Sequence, residues 1–208
     1  MCLTTDVPTN HALVRRGLRL EYLTLAWNFV GVAVLAYGAW RARSVALAGF
    51  GFDTIVEIGA SAVVIWELTD LHQRRRRRAL RWIGASFIVL IIYVVSLSTL
   101  ALAMGVRPDH SPLGIWWTAA TALAMFALAA GKARTGRSLN NAVLITEGRV
   151  TFVDALLAVA VLVGLALNAA LGWWWADPLA ALVIVYYAQR EAREAFAHDH
   201  STLTEGQE

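Results

Sequence analysis

Long apolar blocks alternate with short polar ones along the chain. Six apolar runs cover residues 22–40, 44–68, 80–104, 113–131, 142–167 and 173–189. A helix needs about 20 such residues to cross the hydrocarbon of a bilayer. The pattern therefore predicts an all-α polytopic membrane protein with six transmembrane helices. The connection between the first two runs is polar, and the two together are far too long for one crossing. A polar N-terminal tail over 1–20 and a charged C-terminal tail over 191–208 flank a six-helix transmembrane domain at 21–190. No stretch outside the runs is long enough to form a soluble domain.

Basic residues fix the expected orientation. With the N-terminus inside, the cytoplasmic segments carry Arg15, Arg16, Arg19, Arg74, Arg75, Arg76, Arg77, Arg78, Arg81, Lys132, Arg134, Arg137, Arg190 and Arg193. The opposite side carries only Arg41, Arg43 and Arg107. Both termini are expected in the cytoplasm, and a multi-pass cell-membrane protein follows. The five arginines from Arg74 to Arg78 are expected to meet anionic lipid headgroups.

Composition narrows the class further. The chain of 208 residues is 58% hydrophobic and only 16% charged, whereas soluble domains are usually about a quarter charged. Nine Trp suit interfacial anchoring. The lone cysteine, Cys2, excludes an intrachain disulfide or a cysteine metal cluster. The net charge of +3 does not point to nucleic acid, because the arginines sit in loops beside apolar spans. Residues 1–20 do not read as a cleavable signal peptide.

Candidate chemistry lies inside the apolar runs. Asp53 and Glu57 interrupt the second span near its middle, and Asp154 sits about 12 residues into the fifth. A carboxylate at that depth costs roughly 2.5 kcal/mol or more unless a partner takes up its charge. Spacing of four puts Asp53 and Glu57 on one helix face, one turn apart. In the expected topology Asp154 reaches the same depth from the other side. No basic residue is expected at that level, so the three acids read as oxygen ligands for a divalent cation. The competing reading is a protonated acid making a helix–helix hydrogen bond.

Other polar residues carry weaker signals. Glu147 lies two turns nearer the cytoplasm than Asp154, about 10 Å away. It reads as a way-station for the ion or as an interfacial acid paired with Arg149 or the loop arginines. Asn28, with Thr24 one turn earlier on the same face, is a ligand, a group supporting the ligands, or a packing hydrogen bond. Asp177 precedes Pro178 at a helix start and reads as an N-cap. His72 with Glu67 and Asp70 forms either a peripheral metal site or a solvated loop. Gly49, Gly51 and Gly59 are expected to let helices approach closely at the site.

These residues resemble the cation diffusion facilitator family of divalent-metal exporters. Its second helix carries a pattern like S-x-A-L-x-A-x-x-x-D-x-x-x-D. Here Ser44-Val-Ala-Leu-Ala-Gly-Phe-Gly-Phe-Asp53-Thr-Ile-Val-Glu57 matches, with Glu in place of the second Asp. Its fifth helix carries H-x-x-x-D. Asp154 matches the aspartate, and Val150 stands where the histidine would be. The sixth helix often opens with a W-x-D-P-type signature, as in Trp174-Trp-Ala-Asp177-Pro178. The family's cytoplasmic metal-sensing domain has no counterpart in these residues, so the chain resembles a short membrane-only branch.

The resemblance implies export of zinc or a related ion against proton uptake, with alternating access in a homodimer. Without the histidine, manganese, iron, cobalt and cadmium stay open beside zinc. A dimer would have to be held by the membrane helices. No bound cofactor is expected; the metal ion and protons are substrates, with Asp53, Glu57 and Asp154 as ligands and Glu147 and Asn28 as further candidates. Two other classes remain at this point: a passive cation or proton channel using the same acids, and a non-transporting membrane scaffold. An embedded metalloenzyme is disfavoured, because His11, His72, His110, His198 and His200 all fall in tails or loops.

Overall fold

A computed structural model describes residues 7–69 and 73–204. They form helices α1 (Val7–Ala42), α2 (Val45–Thr69), α3 (Gln73–Met104), α4 (Pro112–Leu139), α5 (Ala142–Leu171) and α6 (Ala176–Thr204). Most helices outrun their apolar blocks. α1 starts at Val7, so much of the sequence read as a polar tail continues the first helix. Lipid solubility sets the apolar length, but backbone hydrogen bonding carries the helix on into the polar flank.

The helix ends follow local chemistry. Ser44 closes the tight connection after Arg43, whose φ is 51°, and its hydroxyl accepts from the Leu47 N–H at 3.1 Å. Ser111 caps α4 by accepting from the Gly114 N–H at 3.1 Å, with Pro112 in the first turn. Asn140 ends α4 in the left-handed region, and Asn141 at once caps α5 through the Leu144 N–H at 3.0 Å. Gly172 ends α5 at φ 67°, where a side chain would be strained.

Packing divides the helices into two groups. α1, α2, α4 and α5 pack around one another, and α3 pairs chiefly with α6 while both lean on α2. The apolar core fills the space between α2, α5 and the α3–α6 pair, with Leu47, Phe50, Leu90, Val94, Val161 and Ile184 at its centre. Two close approaches rest on glycine. A Cβ on Gly148 would stand 3.0 Å from the Ala133 amide nitrogen, and one on Gly164 would stand 2.6 Å from Ala180 Cβ.

Of the glycines expected to allow close approach, Gly49 and Gly51 do, an added Cβ standing 2.9 Å from Val94 and 3.2 Å from Leu35, and Gly59 does not. Gly49 also faces Ile184 on the α3–α6 side, and Gly59 has open space around it. The pair α4–α5 is drawn together at Gly148.

The outer surface is apolar. Phe29, Val30, Ile92, Leu123, Tyr186 and the 76%-exposed Trp40 and Trp116 face outward. Patches of that extent on a protein mark contact with lipid or a partner. Within the described residues, four helices hold stretches long and apolar enough to cross a membrane: Ala12–Ala42, Phe87–Met104, Pro112–Leu139 and Glu147–Leu171. The chain is a helical, multi-pass membrane protein. His72 and Asp70 lie outside the described residues, as do the side chains of Glu67 and of the arginines at 74–78.

Candidate metal site

The acids expected to converge do face inward, between α1, α2 and α5. Asp53, Glu57 and Asp154 are all buried. The carboxyl groups of Glu57 and Asp154 are within hydrogen-bonding reach of each other. Asp53 lies one turn from Glu57 along α2 and within electrostatic reach of Asp154. It has an interaction of its own. α1 contributes Asn28, whose Nδ2 donates to Glu57 Oε2 at 2.8 Å. Thr24, one turn earlier and fully buried, turns its hydroxyl back to the Leu20 carbonyl at 3.0 Å and takes no part.

Glu57 Oε1 and Asp154 Oδ2 are buried without a hydrogen-bond donor. Two ionised carboxylates cannot bond to one another, because both only accept. Such a pair is stable only with a shared proton or with a cation between its oxygens. Oxygen donors of this kind suit a hard or borderline divalent ion. Among the described residues, no three Asp, Glu, His or Cys side chains stand close enough together to enclose a metal ion in this conformation. Glu57 and Asp154 stand within reach of each other, whereas Asp53 does not complete a tight cluster of three with them.

A second buried layer was not foreseen. Lys132 is 0% exposed, although its sequence context, Gly131-Lys132-Ala133-Arg134, reads as the start of a loop. α4 continues to Leu139, which carries Lys132 into the bundle. Its Nζ donates to Glu21 Oε2 at 3.0 Å, Glu147 Oε1 at 3.3 Å and Thr151 Oγ1 at 3.1 Å. Ser61 on α2 also donates to Glu147 Oε1, at 3.3 Å. Lys132 is within electrostatic reach of Glu57 as well. No basic residue was expected at the depth of the acids; Lys132 stands about one to two helical turns from that depth, close enough to act electrostatically on Glu57.

Glu147 is held by Lys132 and Ser61, and Arg149, one of its expected partners, is exposed. The only advance signal was the pair of acids at matching distances before Asn28 and Asp154: seven residues separate Glu21 from Asn28 and Glu147 from Asp154.

Asp177 is structural, as expected, but caps a different helix from its own. Fully buried at the start of α6, it accepts from the Ser44 hydroxyl, from the Val45 N–H at 2.8 Å and from the Ala46 N–H at 3.2 Å. A carboxylate at the α2 N-terminus satisfies orphan amides and complements the helix dipole. It also ties α6 to the helix that carries Asp53 and Glu57.

The stacked rings of Trp27 and Trp117 pack α1 against α4 beside the site, with centroids 5.1 Å apart. Trp27 Nε1 donates to Thr121 Oγ1 at 3.2 Å. A separate cavity of about 700 Å³ opens between α1, α2 and α3, lined by Val32, Trp40, Phe52, Tyr93 and Met104 among others. Its walls are mostly apolar, with Arg43 and Ser44 at one end, and include none of the acids.

Residues 81–203 match the description of a cation efflux transmembrane domain. The matched segment holds α4 to α6 and most of α3, and includes Asp154, Lys132 and Asp177. Asp53 and Glu57 lie before it. No curated protein matches the chain.

Proposed function

This chain belongs to the cation efflux family of membrane metal-cation transporters, and from that premise we propose that it moves a divalent ion, zinc first among them, out of the cytoplasm in exchange for protons. The observation that carries the reading is the buried Glu57–Asp154 pair with one donorless oxygen on each side. Such a pair accepts either a proton or a metal, and ligands must lose protons to coordinate. One site that binds the two competitively is the minimum an exchanger needs.

Six transmembrane helices with both termini in the cytoplasm give the cycle its direction. The hydrated ion arrives from the cytoplasmic side and displaces the proton held between Glu57 and Asp154. Asp53 turns in as the third oxygen ligand. Asn28 keeps hold of Glu57 Oε2 and presents the other oxygen to the ion. The helices then rock to expose the site outward, where protons return to the carboxylates and release the metal. Two copies of the chain act as a homodimer joined through membrane helices, in the cell membrane.

The test is uptake by proteoliposomes holding a zinc-sensitive dye, with a pH gradient imposed. Asp53→Ala and Asp154→Ala are each expected to abolish gradient-driven uptake while the protein elutes as the wild type does from a sizing column. Wild-type rates in either variant would remove the acids from the mechanism. A panel of manganese, iron, cobalt and cadmium in the same assay ranks the substrates.

A further inference from the structure

Four helices are cross-tied at one level by a single buried ammonium. Lys132 projects from α4, Glu21 from α1, and Glu147 with Thr151 from α5, while Ser61 on α2 joins through Glu147. An ammonium has three N–H donors. The three partners of Lys132 use all of them, so none is left for water. This layer sits to one side of the acid pair. It is seven residues away along α1 and α5, and four along α2 from Glu57 to Ser61, or roughly 6–10 Å. In the orientation proposed above, it lies between the acids and the cytoplasm.

The geometry points to Lys132 as the inner closure of the transport path: a tethered cation, clamped by Glu21 and Glu147, that keeps water and free cations from crossing when the acid site faces outward. This inference rests on the transporter reading and adds a residue to it. With all three ammonium protons committed to protein oxygens, the ion-paired layer offers a water chain no donor to follow. Lys132 also lies within electrostatic reach of Glu57, so it acts on the same ion that the acids bind. Opening inward requires the clamp to part. Glu21 Oε1, buried without a donor, marks the side of the clamp with unused acceptor capacity. The long flexible stem of a lysine allows the ammonium to leave without helix unwinding.

The test reads water access directly. Thr24→Cys places a thiol between Glu21 and Asn28 on α1, in a Cys2→Ser background, with full-length protein in liposomes. A membrane-impermeant maleimide is applied from both sides. Labelling is expected to be slow in this parent and about tenfold faster after Lys132→Gln, as the closed layer opens more often. Proton leak under an imposed pH gradient, followed with a trapped pH dye and no metal, is expected to rise in step.

Glu21→Gln leaves Lys132 its partner Glu147 and serves if Lys132→Gln does not fold; its labelling is expected to fall between the parent and the fully opened layer. Labelling and leak indistinguishable from the parent, in Lys132→Gln or in its Glu21→Gln substitute, would overturn the closure. Asp154→Ala separates the two readings: it is expected to end metal uptake without changing labelling. Retained uptake in Asp154→Ala would strike the transport mechanism itself and leave the access measurement standing.

Discussion

At the scale of single residues, the chemistry is set by which buried charges have partners. Lys132 makes its three bonds, and Glu147 is held from two helices. Glu57 and Asp154 each retain an oxygen without a donor. The first group reads as a lock, and the second as a binding site. Asn28 belongs to the second, because it fixes Glu57 Oε2. Asn28→Ala is expected to weaken zinc binding about 10- to 100-fold, as loss of a group orienting a metal ligand commonly does. Calorimetric titration of the purified protein reads that change, and an unaltered affinity would reduce Asn28 to packing.

Removing one member of a buried ion pair typically costs about 3–5 kcal/mol. Lys132→Gln is therefore expected to lower the unfolding midpoint in detergent more than Glu21→Gln, which leaves Lys132 paired with Glu147. Equal midpoints would mean that Glu21 carries the clamp alone.

The acids at 53, 57 and 154 were legible in the sequence because a charge inside an apolar run is costly wherever it faces. Lys132 was not. It ends an apolar run and is followed by Arg134 and Arg137, so its context matches a membrane-edge loop. Its burial depends on two acids brought from α1 and α5 by folding, and no local pattern announces that.

At the scale of helices, junctions matter more than propensity. Asp177 shows how a local reading falls short. The Asp-Pro pair does mark a helix start, but the carboxylate reaches across to the amides of Val45 and Ala46 on α2. Asp177→Ala is expected to cost about 1–2 kcal/mol, the usual loss for a removed N-cap. Thermal unfolding in detergent measures it, with Asp177→Asn expected to recover part. A full wild-type midpoint in the alanine variant would show the α2–α6 tie to be dispensable. The glycines make the same point. Gly59 stands in open space, whereas Gly164 is pressed against Ala180. A glycine's neighbours come from other helices, so its role is not written in its own run.

At the scale of the molecule, the division into α1–α2–α4–α5 and α3–α6 places every site residue in the first group. The acid layer draws on α1, α2 and α5, and the lysine layer on all four. Among the described residues, the α3–α6 pair supplies packing against α2 and no ligand to either layer. The helical class and apolar surface were legible because lipid demands them of any sequence that crosses it. The grouping of helices was not, because nearly all six runs are apolar on every side, and hydropathy alone does not say which faces meet.

The central claim is that one divalent ion binds between Glu57 and Asp154 with Asp53 turned in. Diffraction from crystals soaked in zinc, recorded on both sides of the zinc absorption edge, tests it most directly. The account predicts a single anomalous peak in each chain, within about 2.0–2.2 Å of carboxylate oxygens from all three residues, and its loss in Asp154→Ala. A zinc peak elsewhere, with the Glu57–Asp154 contact intact in protein that still transports, would contradict it.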